Sequence, residues 1–265
     1  MSVEGLHCED RGSGPPLLLL HGNPTSSFLY RHVIAGLSDR FRCVAPDYPG
    51  FGRSVAPPGY GFTPAEHAGV VERLVLELDL RDVTMMVQDW GGPIGFAVAG
   101  RHPDRFSRFV IGNTWAWPKT DLATRLFSAL LGGPVGKRLI LHRNLFATRV
   151  MRSSQRRPFD VEPYARAFPT KESRIPTWVF PREIIGSRDF LREVEHGLSR
   201  LTDRPALILW PDGDVAFRAP ERERWESLFG DHETVILEGV GHYIQEEAPE
   251  EVVAAIRSWA ARYTA

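Results

Sequence analysis

Short apolar runs alternate with longer amphipathic segments along most of this chain of 265 residues. Six runs carry few or no charges: Leu17–Leu20, Arg42–Ala45, Val83–Val87, Phe109–Ile111, Leu207–Trp210 and Thr234–Leu237. Runs of this length and composition predict buried strands of a mostly parallel sheet. Their alternation with helical segments predicts an α/β fold with a doubly wound sheet.

Two helical segments carry clear signals. Thr63, Pro64 and Glu66 form a capping pattern, which predicts that a helix begins at this point. The last helix is predicted from about Pro249, and one of its faces is apolar: Val252, Val253, Ile256 and Trp259.

Residues 115–200 hold no convincing buried strand. They carry Arg-rich and Leu-rich helical patches and several prolines, so we expect a helical insertion between two strands. Such an insertion would form a cap over the carboxyl ends of the strands, where open α/β sheets bind ligands. The predicted division is a core of residues 1–114 and 201–265 and a cap of residues 115–200. Helices that merely cover the sheet edge are the alternative.

The segment Val83–Gly95 has the layout of a nucleophile elbow, in which a strained turn between strand and helix exposes a reactive side chain. Asp89 is the central residue, and Val87 replaces the glycine that usually lies two positions before it. The chain contains no Gly-x-Ser-x-Gly motif, which disfavours a serine esterase or lipase. A carboxylate attacks saturated carbon that bears a leaving group and forms an ester. Alternatively, Asp89 only caps the following helix.

Three further motifs follow predicted strands. The loop His21-Gly22-Asn23-Pro24 follows the first run, and the acids Asp212 and Asp214 follow the fifth. Gly241-His242 follows the last run. The order nucleophile, acid, histidine is the one that α/β-hydrolases require.

Taken together, these motifs resemble those of α/β-hydrolases of the haloalkane dehalogenase family, and the resemblance covers nearly the whole chain. It implies an α/β-hydrolase fold and displacement of halide by Asp89. It also implies that Trp90 and Asn23 bind the halide and that their backbone N–H groups form the oxyanion hole. His242 would activate the water that hydrolyses the ester, and Asp214 would orient His242.

Two departures from the family pattern affect these expectations. Some members carry the acid after the strand that ends near Ile111, where this chain has Gly112-Asn113-Thr114. Asp214 is therefore preferred as the acid, with Asp212 as the alternative. There is also room for one short strand around Leu6–Glu9, but not for the full first hairpin that the family usually has.

Composition changes this picture little. Lys and Arg number 32 and Asp and Glu number 33, which excludes a strongly basic nucleic-acid surface and suits a small uncharged halogenated substrate. Water would be the co-reactant and halide a product, and we expect no cofactor and no metal.

The two cysteines are too few for a disulfide scaffold. No apolar run is long enough to span a membrane, and Met1–Glu4 lacks the features of a secretory signal. We therefore expect a cytoplasmic location and no membrane partner, while the oligomeric state stays open.

Two other functions compete. Epoxide hydrolases share the fold and the Asp nucleophile but use two cap tyrosines, and the predicted cap contains only Tyr164. A non-catalytic binding protein of this fold is disfavoured because Asp89, Asp214 and His242 are all present.

His21 is expected to order its loop. Apolar bulk for the pocket is available from several aromatic residues: Trp115, Trp117, Phe127, Phe146, Phe168, Trp178, Phe180 and Phe217.

Overall fold

The computed structural model describes residues 5–263, and seven strands form one sheet within them. The strands are β1 (Cys8–Arg11), β2 (Pro16–Leu20), β3 (Arg42–Pro46), β4 (Val83–Asp89), β5 (Phe106–Thr114), β6 (Ala206–Pro211) and β7 (His232–Leu237). Their order across the sheet is β1-β3-β2-β4-β5-β6-β7. Strand β1 is antiparallel to β3 and the other neighbouring pairs are parallel, which confirms the predicted mostly parallel sheet.

Helices connect the strands and cover both faces of the sheet. They are α1 (Arg31–Leu37), α2 (Pro64–Glu77), α3 (Gly91–Arg101), α4 (Leu122–Gly132), α5 (Pro134–Arg143), α6 (Met151–Ser153), α7 (Glu162–Arg166), α8 (Ile175–Gly186), α9 (Arg188–Leu198), α10 (Ala219–Leu228), α11 (Ile244–Glu247) and α12 (Pro249–Ala260). Within residues 5–263, no helix has both the length and the apolar character that crossing a bilayer requires.

All six predicted strands are present, and most extend one to three residues beyond the apolar run at one or both ends. The short strand expected around Leu6–Glu9 is β1, two residues further along, and its Cys8 pairs with Pro46 at the antiparallel edge of the sheet. Residues Met1–Glu4, on which the expectation about a secretory signal rests, lie outside the described residues.

The burial of β2 shows how the two faces are covered. Leu18 and Leu20 belong to the apolar layer that contains residues of α2 and α3, whereas Leu17 and Leu19 belong to the layer formed with α1 and α12. Successive side chains of a strand point to opposite faces, so a run in which every residue is apolar requires helices on both sides. This requirement is why the leucine run predicts a central strand.

Both predicted helix features are confirmed. The Thr63 side chain accepts from the backbone N–H of Glu66 at 3.3 Å, and the Glu66 carboxylate accepts from the backbone N–H of Thr63 at 2.9 Å. This reciprocal pair is the capping box that starts α2. In α12, Val252, Ile256 and Trp259 are buried on one face, and Val253 is half-buried and packs against the same apolar layer.

Helices α4 to α9 lie between β5 and β6, as expected for an insertion, but α9 packs on the core helix α3. A Cβ atom added at Gly100 of α3 would lie 3.1 Å from the Cα of Gly197 in α9. Arg101 also forms an ion pair with Glu193 at 3.1 Å. Helix α9 therefore contacts the core directly, and the division into a core of residues 1–114 and 201–265 and a cap of residues 115–200 stays a prediction.

Candidate active site

Asp89 lies at a sharp turn between β4 and α3. Its backbone φ is 51°, in the left-handed region that residues with a side chain rarely adopt. Neighbouring glycines let the turn fit: a Cβ atom at Gly22 would lie 2.2 Å from Asp89 Oδ1, and one at Gly91 would lie 2.1 Å from the Leu20 carbonyl oxygen. This strained turn is the predicted nucleophile elbow, and it holds the carboxylate beside the loop that follows β2.

One backbone N–H group donates to the Asp89 carboxylate, and a second lies near it. The N–H of Asn23 donates to Oδ1 at 2.8 Å. Burial raises the pKa of Asp89, while the charge of His242 and the backbone N–H groups of Asn23 and Trp90 oppose the rise, and the net shift is upward. These two N–H groups are the ones expected to form the oxyanion hole.

The predicted acid and base meet at the ends of β6 and β7. Asp214 Oδ2 lies 2.9 Å from Nδ1 of His242, and Nε2 of the same ring lies 3.8 Å from Asp89 Oδ2. Asp212 points elsewhere, since its carboxylate accepts from the backbone N–H of Gly239 at 2.8 Å. The structure therefore brings Asp89, His242 and Asp214 together and leaves Asp212 outside the group.

The charges in this group depend on one another. Burial lowers the pKa of His242, but the Asp214 and Asp89 carboxylates raise it more, to about 9. Burial raises the pKa of Asp214, but the charge of His242 and hydrogen bonds from His242, Asn113 and the Ala216 N–H lower it more. The imidazole is thus stabilised as a cation while both carboxylates are ionised.

Two amide side chains hold the imidazole, and sequence reasoning gave neither of them a role. The Gln88 amide nitrogen lies 2.9 Å from His242 Nε2 and donates to the His242 carbonyl at 3.2 Å. The Asn113 amide donates to Asp214 Oδ2 at 2.8 Å and to the His242 carbonyl at 2.6 Å. Both residues are next to motif positions, Gln88 before the nucleophile and Asn113 where some relatives carry the acid.

The Asn23 side chain faces the cap. Its amide nitrogen donates to the carbonyl oxygen of Thr177 in α8 at 3.2 Å, which fixes the orientation of the amide. One of the two N–H bonds of the amide is used in this way, and the other is available to a ligand. The cap thus contacts the expected halide-binding residue directly.

A row of aromatic rings joins the cap to the histidine. Trp90 stacks on Phe180 of α8 at 5.2 Å and meets the edge of Trp115 at 4.7 Å. Trp115 stacks on Phe217 at 5.3 Å, and Phe217 stacks on His242 at 5.8 Å. Rings packed in this way give the site an apolar wall and restrict the orientation of the indole and the imidazole.

His21 links the two loops beside Asp89. Its Nε2 accepts from the backbone N–H of Tyr48 at 3.1 Å, and its Nδ1 lies 2.9 Å from the Gly22 carbonyl oxygen. Burial lowers the pKa of His21 to about 4, so the ring is neutral and can both accept and donate. This arrangement matches the expectation that His21 orders its loop.

Tyr164, the single tyrosine of the predicted cap, is bound to other groups. It is buried, and its hydroxyl donates to Glu246 of α11. The same carboxylate forms an ion pair with Arg31 of α1 at 2.5 Å. Burial and the charge of Glu246 raise the pKa of Tyr164 well above 10, which makes the hydroxyl a poor proton donor.

The Asp89 carboxylate is partly accessible from outside. The Asp89 side chain keeps 15% of its exposure, and that of His242 keeps 8%, so a small molecule can reach them. A cavity of 760 Å³ opens elsewhere on the surface, between α1 and α7, and is lined in part by Phe28, Arg31 and Tyr164. Asp89 and His242 do not line that cavity, so its volume says nothing about the substrate.

Comparison with known proteins agrees with this geometry. The model of the alpha/beta hydrolase fold family matches residues 15–249, so the protein is an α/β-hydrolase. "Haloalkane dehalogenase 2" of Mycobacterium tuberculosis is 42% identical over 256 residues, which is 95% of this chain and 90% of the relative. The chain therefore belongs to the haloalkane dehalogenase family.

More distant relatives include two kinds of enzyme. A haloalkane dehalogenase of Mesorhizobium japonicum is 31% identical over 96% of this chain and 86% of its own length. A cis-3-alkyl-4-alkyloxetan-2-one decarboxylase of Shewanella oneidensis is 31% identical over 95% and 84%. Among solved structures, a haloalkane dehalogenase of Bradyrhizobium elkani superimposes with a TM-score of 0.88 at 26% identity, covering 97% of this chain and 94% of that one.

Proposed function

We propose that this protein hydrolyses the carbon–halogen bond of small, uncharged haloalkanes to an alcohol, a halide ion and a proton. The observation that carries the proposal is the Asp89 carboxylate, held on a strained turn with Oδ1 bound by the Asn23 N–H and Oδ2 at 3.8 Å from His242. Because Oδ1 is bound, Oδ2 is the oxygen that attacks. Water is the only co-reactant.

In the first step, Asp89 Oδ2 forms a bond to the substrate carbon, and the carbon–halogen bond breaks with its electron pair leaving on the halide. The product is an alkyl ester of Asp89. Negative charge grows on the halogen, so N–H donors directed at it lower the barrier. The Trp90 indole N–H and the second amide N–H of Asn23 are the donors assigned to this role.

In the second step, His242 takes a proton from a water molecule, and the water oxygen attacks Cγ of the Asp89 ester. The negative charge that forms on the carbonyl oxygen rests on the backbone N–H groups of Asn23 and Trp90. Asp214 holds Nδ1 of the imidazole and stabilises the cation that forms. The intermediate collapses as the Cγ–O bond to the alkyl group breaks, and the departing oxygen takes the proton back from His242 to give the alcohol. The carboxyl group of Asp89 then releases the second proton of the water, which regenerates the carboxylate.

The ester itself prepares the base for this step. In the free enzyme, the Asp89 charge is one of the reasons why the pKa of His242 is raised to about 9. Alkylation removes that charge, so the pKa of His242 falls and the neutral imidazole becomes more populated. Once a substrate has reacted, His242 is therefore more often in the neutral form that can accept a proton from water.

The His242→Gln variant tests the mechanism. It should release one equivalent of halide from n-butyl bromide and then stop, because the ester forms but no base activates water. Mass spectrometry of the peptide that contains Asp89 should show an added butyl group. Asp89→Asn is the matched control and should show neither event. An unmodified Asp89 peptide in His242→Gln, after exposure to substrates that the native enzyme turns over, would overturn the mechanism.

Product analysis of the native enzyme tests the reaction class. We expect halide release from n-butyl bromide and ethylene dibromide, and no diol from styrene oxide, because Tyr164 is held by Glu246. A cis-dialkyl oxetan-2-one is included as a third kind of test substrate, since a relative is named for that substrate. Carbon dioxide from the oxetanone without halide from any haloalkane would overturn the proposal.

A further inference from the structure

The cap exposes apolar side chains on its outer helices. In α4, Leu122, Leu126 and Leu130 recur at every fourth residue and are 69%, 61% and 64% exposed. Seven of the twelve exposed large apolar residues among residues 5–263 lie on α4, α5 and α8, and we call these seven the outer cap surface: Leu122, Leu126, Phe127, Leu130, Val135, Leu139 and Ile185. Such a cluster is unusual for a surface that faces only water.

Cations lie among these apolar residues. A groove of 590 Å³ is lined by Leu122, Leu126 and Ile185 together with Arg125 and Arg182, and it includes no acidic residue. A neighbouring groove of 280 Å³ shares Arg125 and Ile185 and adds Lys119 and Arg188.

Two of the four cations form ion pairs, and the other two have no carboxylate partner among residues 5–263. Lys119 and Arg182 form ion pairs with Glu221 and Glu183. Within residues 5–263, no carboxylate lies in ion-pair distance of Arg125 or Arg188. The outer cap surface therefore combines exposed apolar bulk with uncompensated positive charge.

The charge of the whole chain conceals this asymmetry. Residues 115–200 contain sixteen Lys and Arg and eight Asp and Glu, a net charge of +8. The remaining residues contain sixteen Lys and Arg and twenty-five Asp and Glu, a net charge of −9. A chain that is nearly neutral overall thus carries a basic cap on an acidic core.

Helix α8 lies between α4 and the reactive group. One side of α8 contacts the site, through the Thr177 carbonyl on Asn23 and the Phe180 ring on Trp90. The other side carries α4, whose Ser128 hydroxyl donates to the Pro181 carbonyl at 2.8 Å. The exposed leucines of α4 are therefore one helix away from the site.

We propose that the outer cap surface docks on an anionic phospholipid bilayer. Leu122, Leu126 and Leu130 enter the boundary between headgroups and acyl chains, and Arg125 and Arg188 pair with lipid phosphates. Helices that combine an apolar stripe with basic residues bind membrane surfaces in this way, without spanning them. The inference concerns a binding surface and does not depend on the proposed reaction, although apolar substrates concentrate in bilayers.

A bilayer fits this surface better than a second copy of the chain does. Pairing two caps would bring together two segments that each have a net charge of +8. Outside residues 115–200, the exposed large apolar residues that the structure describes are single positions on separate segments of the chain: Phe28, Val55, Leu76, Val215 and Ile236. The expectation of no membrane partner rested on the lack of a spanning segment, and surface docking needs none.

Sedimentation with vesicles tests the proposal. The protein should sediment with vesicles of phosphatidylcholine and phosphatidylglycerol, should stay in solution with phosphatidylcholine alone, and should be released by added salt. Replacing both Arg125 and Arg188 by Ala should weaken binding about thirtyfold. Leu126→Ser should weaken it about tenfold. Leu76→Ser and Arg81→Ala are matched controls on the core and should bind like the native protein.

Folding of each variant is checked by its thermal transition and by halide release in solution, which docking does not affect. Two results would overturn the proposal. One is that the native protein fails to sediment with the anionic vesicles at low salt. The other is a concentration-dependent dimer in gel filtration that Leu126→Ser abolishes, together with equal vesicle binding by Leu126→Ser and the native protein, since a second copy would then cover the surface.

Discussion

Asp89 combines three constraints that rarely coincide in one residue. Its backbone has a φ of 51°, its carboxylate is largely buried, and the backbone N–H of Asn23 donates to that carboxylate. The backbone strain and the burial both cost free energy, which the surrounding strand and helix must supply. The donor is a backbone group of the loop after β2, so the carboxylate is positioned by the fold and not by a flexible side chain.

Gln88 should matter for only one half of the reaction. Its amide nitrogen lies 2.9 Å from Nε2 of His242 and donates to the His242 carbonyl at 3.2 Å, so it holds the ring that activates water. We expect Gln88→Leu to slow ester hydrolysis about tenfold, because one hydrogen bond that orients the base is lost, and to leave ester formation unchanged. Rapid-quench measurement should show a burst of halide followed by a slow steady rate. Equal slowing of the burst and the steady rate would show that Gln88 acts only on the structure.

The sequence identifies some of the residues of the site but not all of their contacts. The elbow pattern and the histidine motif single out Asp89 and His242, and the structure places them 3.8 Å apart. The lack of an acid at residues 112–114 favours Asp214, but the turn glycine between Asp212 and Asp214 leaves the direction of each side chain undetermined by the sequence. The structure places Asp214 beside His242. Asn113 lies where some members of the family carry the acid, and its amide donates a hydrogen bond to Asp214.

At the scale of secondary-structure elements, local sequence signals predict where a helix begins, but they do not predict which distant segments pack together. The capping box of α2 depends on four consecutive residues, so the sequence alone specifies it. The end of the cap depends on the contact between Gly100 and Gly197, which are almost a hundred residues apart. No local pattern distinguishes a cap helix from a core helix that follows the cap, so the sequence alone does not determine to which of the two α9 belongs.

Two helical glycines should respond to the same substitution in opposite ways. Gly91→Ala would place a Cβ atom 2.1 Å from the Leu20 carbonyl oxygen, between α3 and β2, and should cost at least about 2 kcal/mol of unfolding free energy. Gly69→Ala in α2 meets no atom within 4 Å and should gain about 0.5–1 kcal/mol. Urea unfolding of both variants measures the difference, and stability losses of similar size would contradict it.

At the scale of the whole molecule, the buried charges make stability depend on pH. The pKa of His242 is raised from 6.5 to about 9 in the folded protein, because Asp214 and Asp89 outweigh burial. A pKa raised by folding means that the folded state binds the proton more tightly than the unfolded chain does. The resulting stabilisation is fully present below about 6.5 and is lost as pH rises through about 9.

The unfolding free energy of the native protein should therefore decline between these two pH values. Other groups also titrate near the upper of these two pH values, so the native protein is compared with His242→Gln. In that variant, the part of the decline in unfolding free energy that His242 causes should be absent. Urea unfolding at a series of pH values measures both proteins. Parallel curves for the native protein and His242→Gln would show that the folded-state pKa of His242 is not raised.

The amino-acid sequence by itself determined the strands, the start of α2 and the nucleophile turn, because each depends on residues that are neighbours in the chain. It also carried the family resemblance, since the motifs recur in a fixed order. The tertiary structure decided which side chains meet: Asp214 and not Asp212, the amides of Gln88 and Asn113, and Thr177 on Asn23. It likewise decided that the leucines of α4 face outward. These features depend on distances between residues far apart in the chain, and such distances exist only after the strands have aligned and the helices have packed.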